Sequence, residues 1–482
     1  MRRLPIWYPL LLVIFGLGLI AAIQQGQKLQ PPPLSLREGP AAVSGVQATS
    51  ALDPSLSLLA SLRENFQDPL ARLFLQLILV VFAARVCGAL ARKFGQPAVI
   101  GEMVAGILLG PSLLGWLSPA LFQFVFPASS LGTLRLLSQI GVCLFMFVIG
   151  MELDLRLLAQ QARTAVLVSQ VSILFPYLLG VVSALFLFSS LAAPSTSFLP
   201  FALFMGISMS ITAFPVLARI LEERRLTRTA LGATAIACAA TDDVTAWTVL
   251  ALVVAITKAN ALGPTLVTIG LVLVFVLIMV RWVKPRTARW FELAVPGQHG
   301  PSRGAMASVI VFVFASALAT ELLGIHALFG AFLAGVVMPP QRDFREDFSV
   351  RLEHFSSVFL LPLFFAFTGL RTQLGLLNQP SGWMICAALI LVATTGKLGG
   401  AMLAARLTGI NWIDSFSLGA LMNTRGLVEL IALNIGYDLG ILSPQIFTML
   451  VLMALVTTGL TGPLLSLADY LRSRRSLAVR PA

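Results

Sequence analysis

The sequence predicts an all-α, polytopic membrane protein, and three observations carry that prediction. Of its 482 residues 57% are hydrophobic and 11% charged, with a mean hydropathy of +0.91; soluble domains carry about 25% charged residues. From Pro69 onward the chain divides into about thirteen apolar segments, near 70–91, 97–115, 133–151, 163–189, 198–219, 229–256, 263–283, 304–321, 325–340, 355–371, 382–404, 412–436 and 442–470. Most are long enough to cross a bilayer as a helix. Basic residues punctuate the short connections between them. With the N-terminus cytoplasmic, seven (Lys28, Arg37, Arg63, Arg72, Arg135, Lys258 and Arg371) fall outside, and two (Lys397 and Arg425) are left within the membrane. The rest lie on the cytoplasmic side, among them Arg92, Lys93, Arg224, Arg225, Arg228, Arg281 and Lys284. That is one consistent positive-inside orientation. The net charge of +12 therefore marks topology rather than a surface for nucleic acid.

The segments divide the chain in order. Residues 1–23, with Arg2 and Arg3 ahead of an apolar run, have the form of a signal anchor or signal peptide. No A-x-A cleavage signal follows, which favours a retained helix. Residues 24–68 are rich in Pro, Gln and Ser and predict an extracytoplasmic linker; Pro31, Pro32 and Pro33 exclude a continuous helix there. Residues 69–470 form the transmembrane domain, and residues 471–482 a short basic cytoplasmic tail with no room for a soluble regulatory domain. Cys87, Cys143, Cys238 and Cys386 all sit inside apolar runs without CxxC or Cys/His spacing, so neither a disulfide framework nor a metal centre is implied. His326, near a predicted helix end, reads as a packing or surface histidine rather than a proton relay.

The segment Gly232–Ile256 carries the chemistry. Asp242 and Asp243 lie adjacent near its middle, and each acidic residue at mid-bilayer costs roughly 2.5–3.5 kcal/mol on insertion scales. Successive helical side chains diverge by about 100°, so both cannot share one direction. At least one must face a cavity, water or a counter-charge. Lys397 and Arg425 are too deep to reach the interface easily, and buried opposite charges pair. Their natural partners are Asp242, Asp243 or Glu429. A structural salt-bridge lattice would account for the pairing, but not for its concentration on interrupted segments. In FMGISMSITAFPVLARIL, Pro215 follows the polar run Ser208, Ser210 and Thr212; in LMNTRGLVELIAL, the Asn423–Gly426 stretch is a second break. Unwound backbone at membrane depth is tolerated where it lines a cavity or is buried in protein. Two such breaks in corresponding positions point to a transporter site at the midplane.

Seven motifs in order extend this reading: GQPAVIGEMVAGILLGPSLLG at 95–115, FMFVIGMELD at 145–154, SITAFPVLARIL at 210–221, TDDVTAW at 241–247, GIHALFGAFLAGVVMP at 324–339, LPLFFAFTGLRT at 361–372 and NTRGLVELIALNIG at 423–436. Through them residues 70–465 resemble the monovalent cation:proton antiporter-2 family, the branch of bacterial sodium/proton antiporters, potassium efflux systems and plant cation/proton exchangers. The resemblance implies an inverted-repeat fold in which two discontinuous helices, around Thr212–Pro215 and Asn423–Gly426, cross at the midplane. It implies a core domain, a dimerisation domain and a homodimer in a bacterial-type inner membrane. Asp243 matches the family's transport carboxylate, and the Asp242/Lys397 combination matches its electrogenic members. The motifs at 210–221 and 423–436 are closer to the plant type.

The implied function is secondary active antiport, exchanging Na⁺ or K⁺ for protons by alternating access. Two neighbouring carboxylates in a low-dielectric site cannot both ionise cheaply, so their titrations couple. A hard monovalent cation would take oxygens from Asp243, Asp242, Thr212 and carbonyls freed near Ala213, with Thr241 beside the pair. Arg425 and Glu429 would stabilise the opposing broken helix. The alternatives are a cation channel or leak pathway, for which no charge rings or carbonyl filter appear, and a transport-inactive membrane sensor. No nucleophile–base constellation or phosphate loop suggests an enzyme, and no cofactor is implied. The GxxxxG spacing at 101–106 lacks the Lys-Ser/Thr of a phosphate loop and predicts close helix packing instead.

Overall fold

Helices form at every one of the predicted apolar segments, because the chain can satisfy its backbone there only within itself. The computed structural model describes residues 7–29, 68–152, 162–194, 196–227, 229–258, 262–287, 303–324, 326–339, 348, 352 and 355–478. The helices are α1 (Trp7–Gly26), α2 (Pro69–Lys93), α3 (Ala98–Leu109), α4 (Ala128–Glu152), α5 (Ala162–Leu191), α6 (Phe198–Ser210), α7 (Phe214–Glu223) and α8 (Ala230–Lys258). They continue with α9 (Leu262–Ile278), α10 (Arg303–Leu322), α11 (Ala327–Val336), α12 (Leu361–Leu370), α13 (Pro380–Leu407), α14 (Trp412–Met422), α15 (Leu427–Asp438) and α16 (Pro444–Ala478). Among the described residues ten spans are long and apolar enough to cross a membrane, and α14 with α15, bent by 42° at their break, make an eleventh. The shorter α11 and the run of α9 into a π-turn at Met279–Val283 occupy the two remaining predicted segments. The protein is a multi-pass membrane protein.

Local chemistry sets the ends. Asp68 accepts a hydrogen bond from the Leu70 amide at 2.9 Å and Pro69 opens α2; Asn411 accepts from the Asp414 amide at 2.9 Å to start α14. Both satisfy orphan N–H groups of a first turn. One difference concerns the C-terminus. The tail expected from residue 471 is helical to Ala478, because Arg472 reaches Asp414 at 2.6 Å and Asp469 at 3.1 Å and holds the last turns in register. Of the predicted linker, residues 30–67 lie outside the described residues.

Two groups of helices result. Helices α5 to α8 pack with α13 to α16, and α2 to α4 pack with α10 to α12. Small residues draw the second group together. A Cβ on Gly101 would run into the Cys87 carbonyl of α2, and one on Gly106 into the Ala366 carbonyl of α12. The 101–106 spacing is therefore close helix packing, as read from the sequence. The first group is tied across its outer end. An isolated antiparallel bridge joins Ala192 to Leu442, Thr196 donates to the Gly440 carbonyl at 2.9 Å, and Ser443 donates to the Leu191 carbonyl at 2.5 Å. Helix α1 leans on α5, with Gly18 against Leu178 and the Phe15 and Phe175 rings edge to face at 6.1 Å.

Candidate functional site: a midplane crossing of two broken helices

The chain leaves helical geometry at Ile211–Ala213 and again at Asn423–Gly426, and the two breaks touch. The Ala213 amide donates to the Thr424 carbonyl at 2.9 Å, and the Thr212 hydroxyl lies 2.9 Å from the Met422 carbonyl. Pro215 does not kink a continuous helix. It sits in the first turn of α7, where its missing N–H is harmless. At Gly426 the approach is too close for a side chain: a Cβ would stand 2.8 Å from Val216 and 3.0 Å from the Ala213 Cβ.

Breaking α6 after Ser210 leaves carbonyls without intrahelical donors at the negative end of its dipole. The two buried cations fill this role. Arg425 donates through Nη1 to the Ser208 carbonyl at 2.6 Å and through Nη2 to the Met209 carbonyl at 2.7 Å, and Lys397 Nζ donates to the Ser210 carbonyl. Of the carbonyls near Ala213, that of Ala213 itself is occupied: it accepts from the Leu217 amide at 3.0 Å, as the cap of α7.

The charges pair as buried charges must. Lys397 Nζ lies 2.8 Å from Asp242 Oδ2, both side chains fully buried; Arg425 Nη1 lies 3.3 Å from Glu429 Oε2, also fully buried. Asp242 is further held by hydroxyls. Ser169 donates to Oδ1 at 2.6 Å and Thr212 lies 2.6 Å from Oδ2, while Ser172, whose hydroxyl donates to the Ser169 carbonyl at 2.9 Å, stands 3.3 Å from both oxygens. Gln170 docks the same turn of α5 onto Thr245 of α8 at 3.2 Å.

Asp243, one residue on, is different. It is 2% exposed, and neither of its carboxylate oxygens has a hydrogen-bond partner. The structure thus divides the acidic pair: Asp242 is ringed by donors, whereas Asp243 has no partner at full hydrogen-bond distance and is faced by the Phe214 amide at the start of α7. Thr212 serves Asp242, while the Thr241 hydroxyl is turned back onto the Ala237 carbonyl at 2.8 Å and joins neither carboxylate. Ser169 and Ser172 were not singled out by sequence reasoning. The polar pair Ser169–Gln170 with Ser172, in a turn otherwise apolar, was the available signal.

Two hollows lie between the helix groups. A water-accessible cavity of about 780 Å³ opens between α7 and α15 on one side and α3, α4 and α12 on the other. It runs along α7 from Phe214, in the turn after Thr212, to Arg219, Glu222 and Thr227, near Arg224 and Arg225. Toward the far end of α15, between α4, α12 and α15, lies a slot of about 20 Å³, room for one water.

Residues 78–468 match the family described as sodium/hydrogen exchanger, transmembrane. The chain is 44% identical over 393 residues to the Na⁺/H⁺ antiporter NhaS4 of Synechocystis, covering 80% of this chain and 95% of that protein. It is 38% identical over 406 residues to Cation/H⁺ antiporter 19 of Arabidopsis thaliana, covering 84% of this chain but 50% of that longer protein. Its fold matches the sodium proton antiporter MjNhaP1 of Methanocaldococcus jannaschii with a TM-score of 0.59 at 13% identity, over 79% of this chain and 95% of that one. With two broken helices crossing amid buried charge, and with these matches spanning most of its length, the chain belongs to the sodium/hydrogen exchanger family.

Proposed function

We propose that the protein is a secondary active antiporter that exchanges Na⁺ or K⁺ for protons by alternating access, with Asp243 as the carboxylate for which cation and proton compete. One observation carries the reading: Asp243 is buried at the crossing with both oxygens unpartnered, beside an Asp242 that is saturated. A buried bare carboxylate is costly until something neutralises it, and a proton or a cation does so equally. One site that can hold either but not both is an exchanger. Its relatives' names, a Na⁺/H⁺ antiporter and a cation/H⁺ antiporter, support the same chemistry.

In this reading Asp242 is the second acid of the site and Lys397 its counter-charge. When a cation enters beside Asp243, the ammonium can leave Asp242, while Ser169, Ser172 and Thr212 go on holding that carboxylate. A proton moved at this pair in addition to one at Asp243 makes the exchange electrogenic. Arg425 and Glu429 hold the crossing together rather than touch the ion. The helix group around α8 moves against the group around α4, in a homodimer. Neither the channel nor the sensor alternative gains support from relatives named as antiporters.

The test is exchange in proteoliposomes with an imposed pH gradient, adding Na⁺, K⁺ and Li⁺ separately to wild type and Asp243→Asn. Wild type dissipates the gradient with its substrate cation and the variant, matched for reconstituted protein, is silent. Equal behaviour of the two would make the carboxylate pair structural and defeat the proposal.

A further inference from the structure

The small slot is lined by charges that the exchange site does not use. Asp438, at the C-terminal end of α15, lies 2.8 Å from Arg371 Nη2 and 3.5 Å from Arg135 Nη1. Arg371 caps α12, and its other terminal nitrogen donates to Asn434 Oδ1 of α15 at 2.9 Å. The Arg371 guanidinium is sandwiched, 4.4 Å from the centre of the Phe367 ring on α12 and 5.1 Å from that of Tyr437 on α15. The Asn434 amide donates onward to the Thr368 hydroxyl at 2.8 Å. Each of these polar contacts runs between α15, in the group that carries the crossing, and α4 or α12, in the other group.

The same helices part at their other ends, α15 at the midplane break and α12 near its first turn. Leu361 and Phe365 of α12 and Leu427 of α15 line the large cavity, whereas Phe367 and Arg371 of α12 and Asn434 and Asp438 of α15 line the slot. The two helices are therefore zipped at one end and separated at the other. We infer that Asp438, Arg371 and Arg135 form an extracytoplasmic latch that couples the two helix groups and selects the side to which the crossing opens. Any motion that opens the outer path must first part Asp438 from both arginines. The pair is shielded from water, with side-chain exposures of 14% for Arg371 and 19% for Asp438, so it is not a freely solvated surface contact of negligible weight. As gating residues these three never meet the ion; they bias a two-state equilibrium.

The inference rests on the alternating-access reading, so its test measures access rather than ion flux. In a background lacking the four native cysteines, Ser138→Cys reports on the slot and Ala218→Cys on the cytoplasmic cavity, each labelled from its own side by a membrane-impermeant thiol reagent. Asp438→Asn or Arg371→Gln is expected to speed outer labelling at position 138 by at least about tenfold, the weight of one hydrogen bond to a charged group. Inner labelling at position 218 slows in the same variants. The double variant adds little to the larger single effect, and Asp438→Glu stays near wild type. If labelling is unchanged at both positions, or rises at both as a loosened fold would make it, the latch is refuted. Should Asp438→Asn fail to fold, Arg135→Gln removes only the longer, exposed arm and must shift both rates in the same directions by less. A transporter silent in exchange but opposite-signed in labelling would overturn the antiport reading and leave the latch standing.

Discussion

Replacing Lys397 with Met isolates what a buried cation contributes at the crossing. Methionine fills most of the lysine stem but offers no charge and no donor. Asp242 keeps Ser169, Ser172 and Thr212 and loses the ammonium 2.8 Å away, while the Ser210 carbonyl loses its donor. Removing one partner of a buried ion pair costs about 3–5 kcal/mol, and an orphaned carbonyl about 1–3 kcal/mol more. The three remaining hydroxyls hold the total near the lower end of that combined range, about 4–5 kcal/mol. Thermal unfolding in detergent, on wild type, Lys397→Met, Asp242→Asn and the double variant, gives the double-mutant cycle. The single lysine variant melts well below wild type, and the double variant recovers most of the loss. A Lys397→Met protein as stable as wild type, or no rescue by Asp242→Asn, would refute the pairing argument.

Two further expectations follow from the same geometry. If cation and proton compete for Asp243 one for one, each tenfold increase in cation moves the acid-side half-inhibition of exchange by about one unit to lower pH; a half-inhibition that ignores cation concentration excludes shared occupancy. Gly426→Val forces a side chain against Val216 and Ala213 and is expected to cost about 1–3 kcal/mol, seen as a lower melting temperature, while Gly132→Ala, with open space around its Cβ, leaves it unchanged.

Much of this site was legible in the sequence because charge is scarce in an apolar chain. With so few ionisable residues at depth, Lys397 and Arg425 had to find Asp242, Asp243 or Glu429, and the pairs Lys397–Asp242 and Arg425–Glu429 are two of those possibilities. The breaks were legible for a related reason: Asn423–Gly426 and the polar run before Pro215 are poor continuations of a membrane helix. Hydroxyls were harder to read. Ser183 and Ser208 bond back to carbonyls of their own helices, which any serine in a membrane helix can do, so only the clustering of Ser169, Gln170 and Ser172 in one apolar turn sets those serines apart. Thr241, a neighbour of the acids, likewise donates within its own helix, to the Ala237 carbonyl. Nor does sequence say which of two adjacent acids is saturated, since that depends on how α5 is rotated against α8.

The bridge between Ala192 and Leu442, with its flanking hydrogen bonds, fastens the outer connection that follows α5 to the one that follows α15. These connections belong to different halves of the chain, so the halves cannot slide past each other while the bridge holds. A bundle closed in this way carries its binding pocket as rigid cargo. In the antiport cycle proposed above, the oxygens around Asp243 then keep their spacing in either orientation, and the intrinsic affinity is alike on both faces of the membrane. Such a machine has no preferred direction of its own: it runs whichever way the combined gradients of cation, proton and voltage drive it.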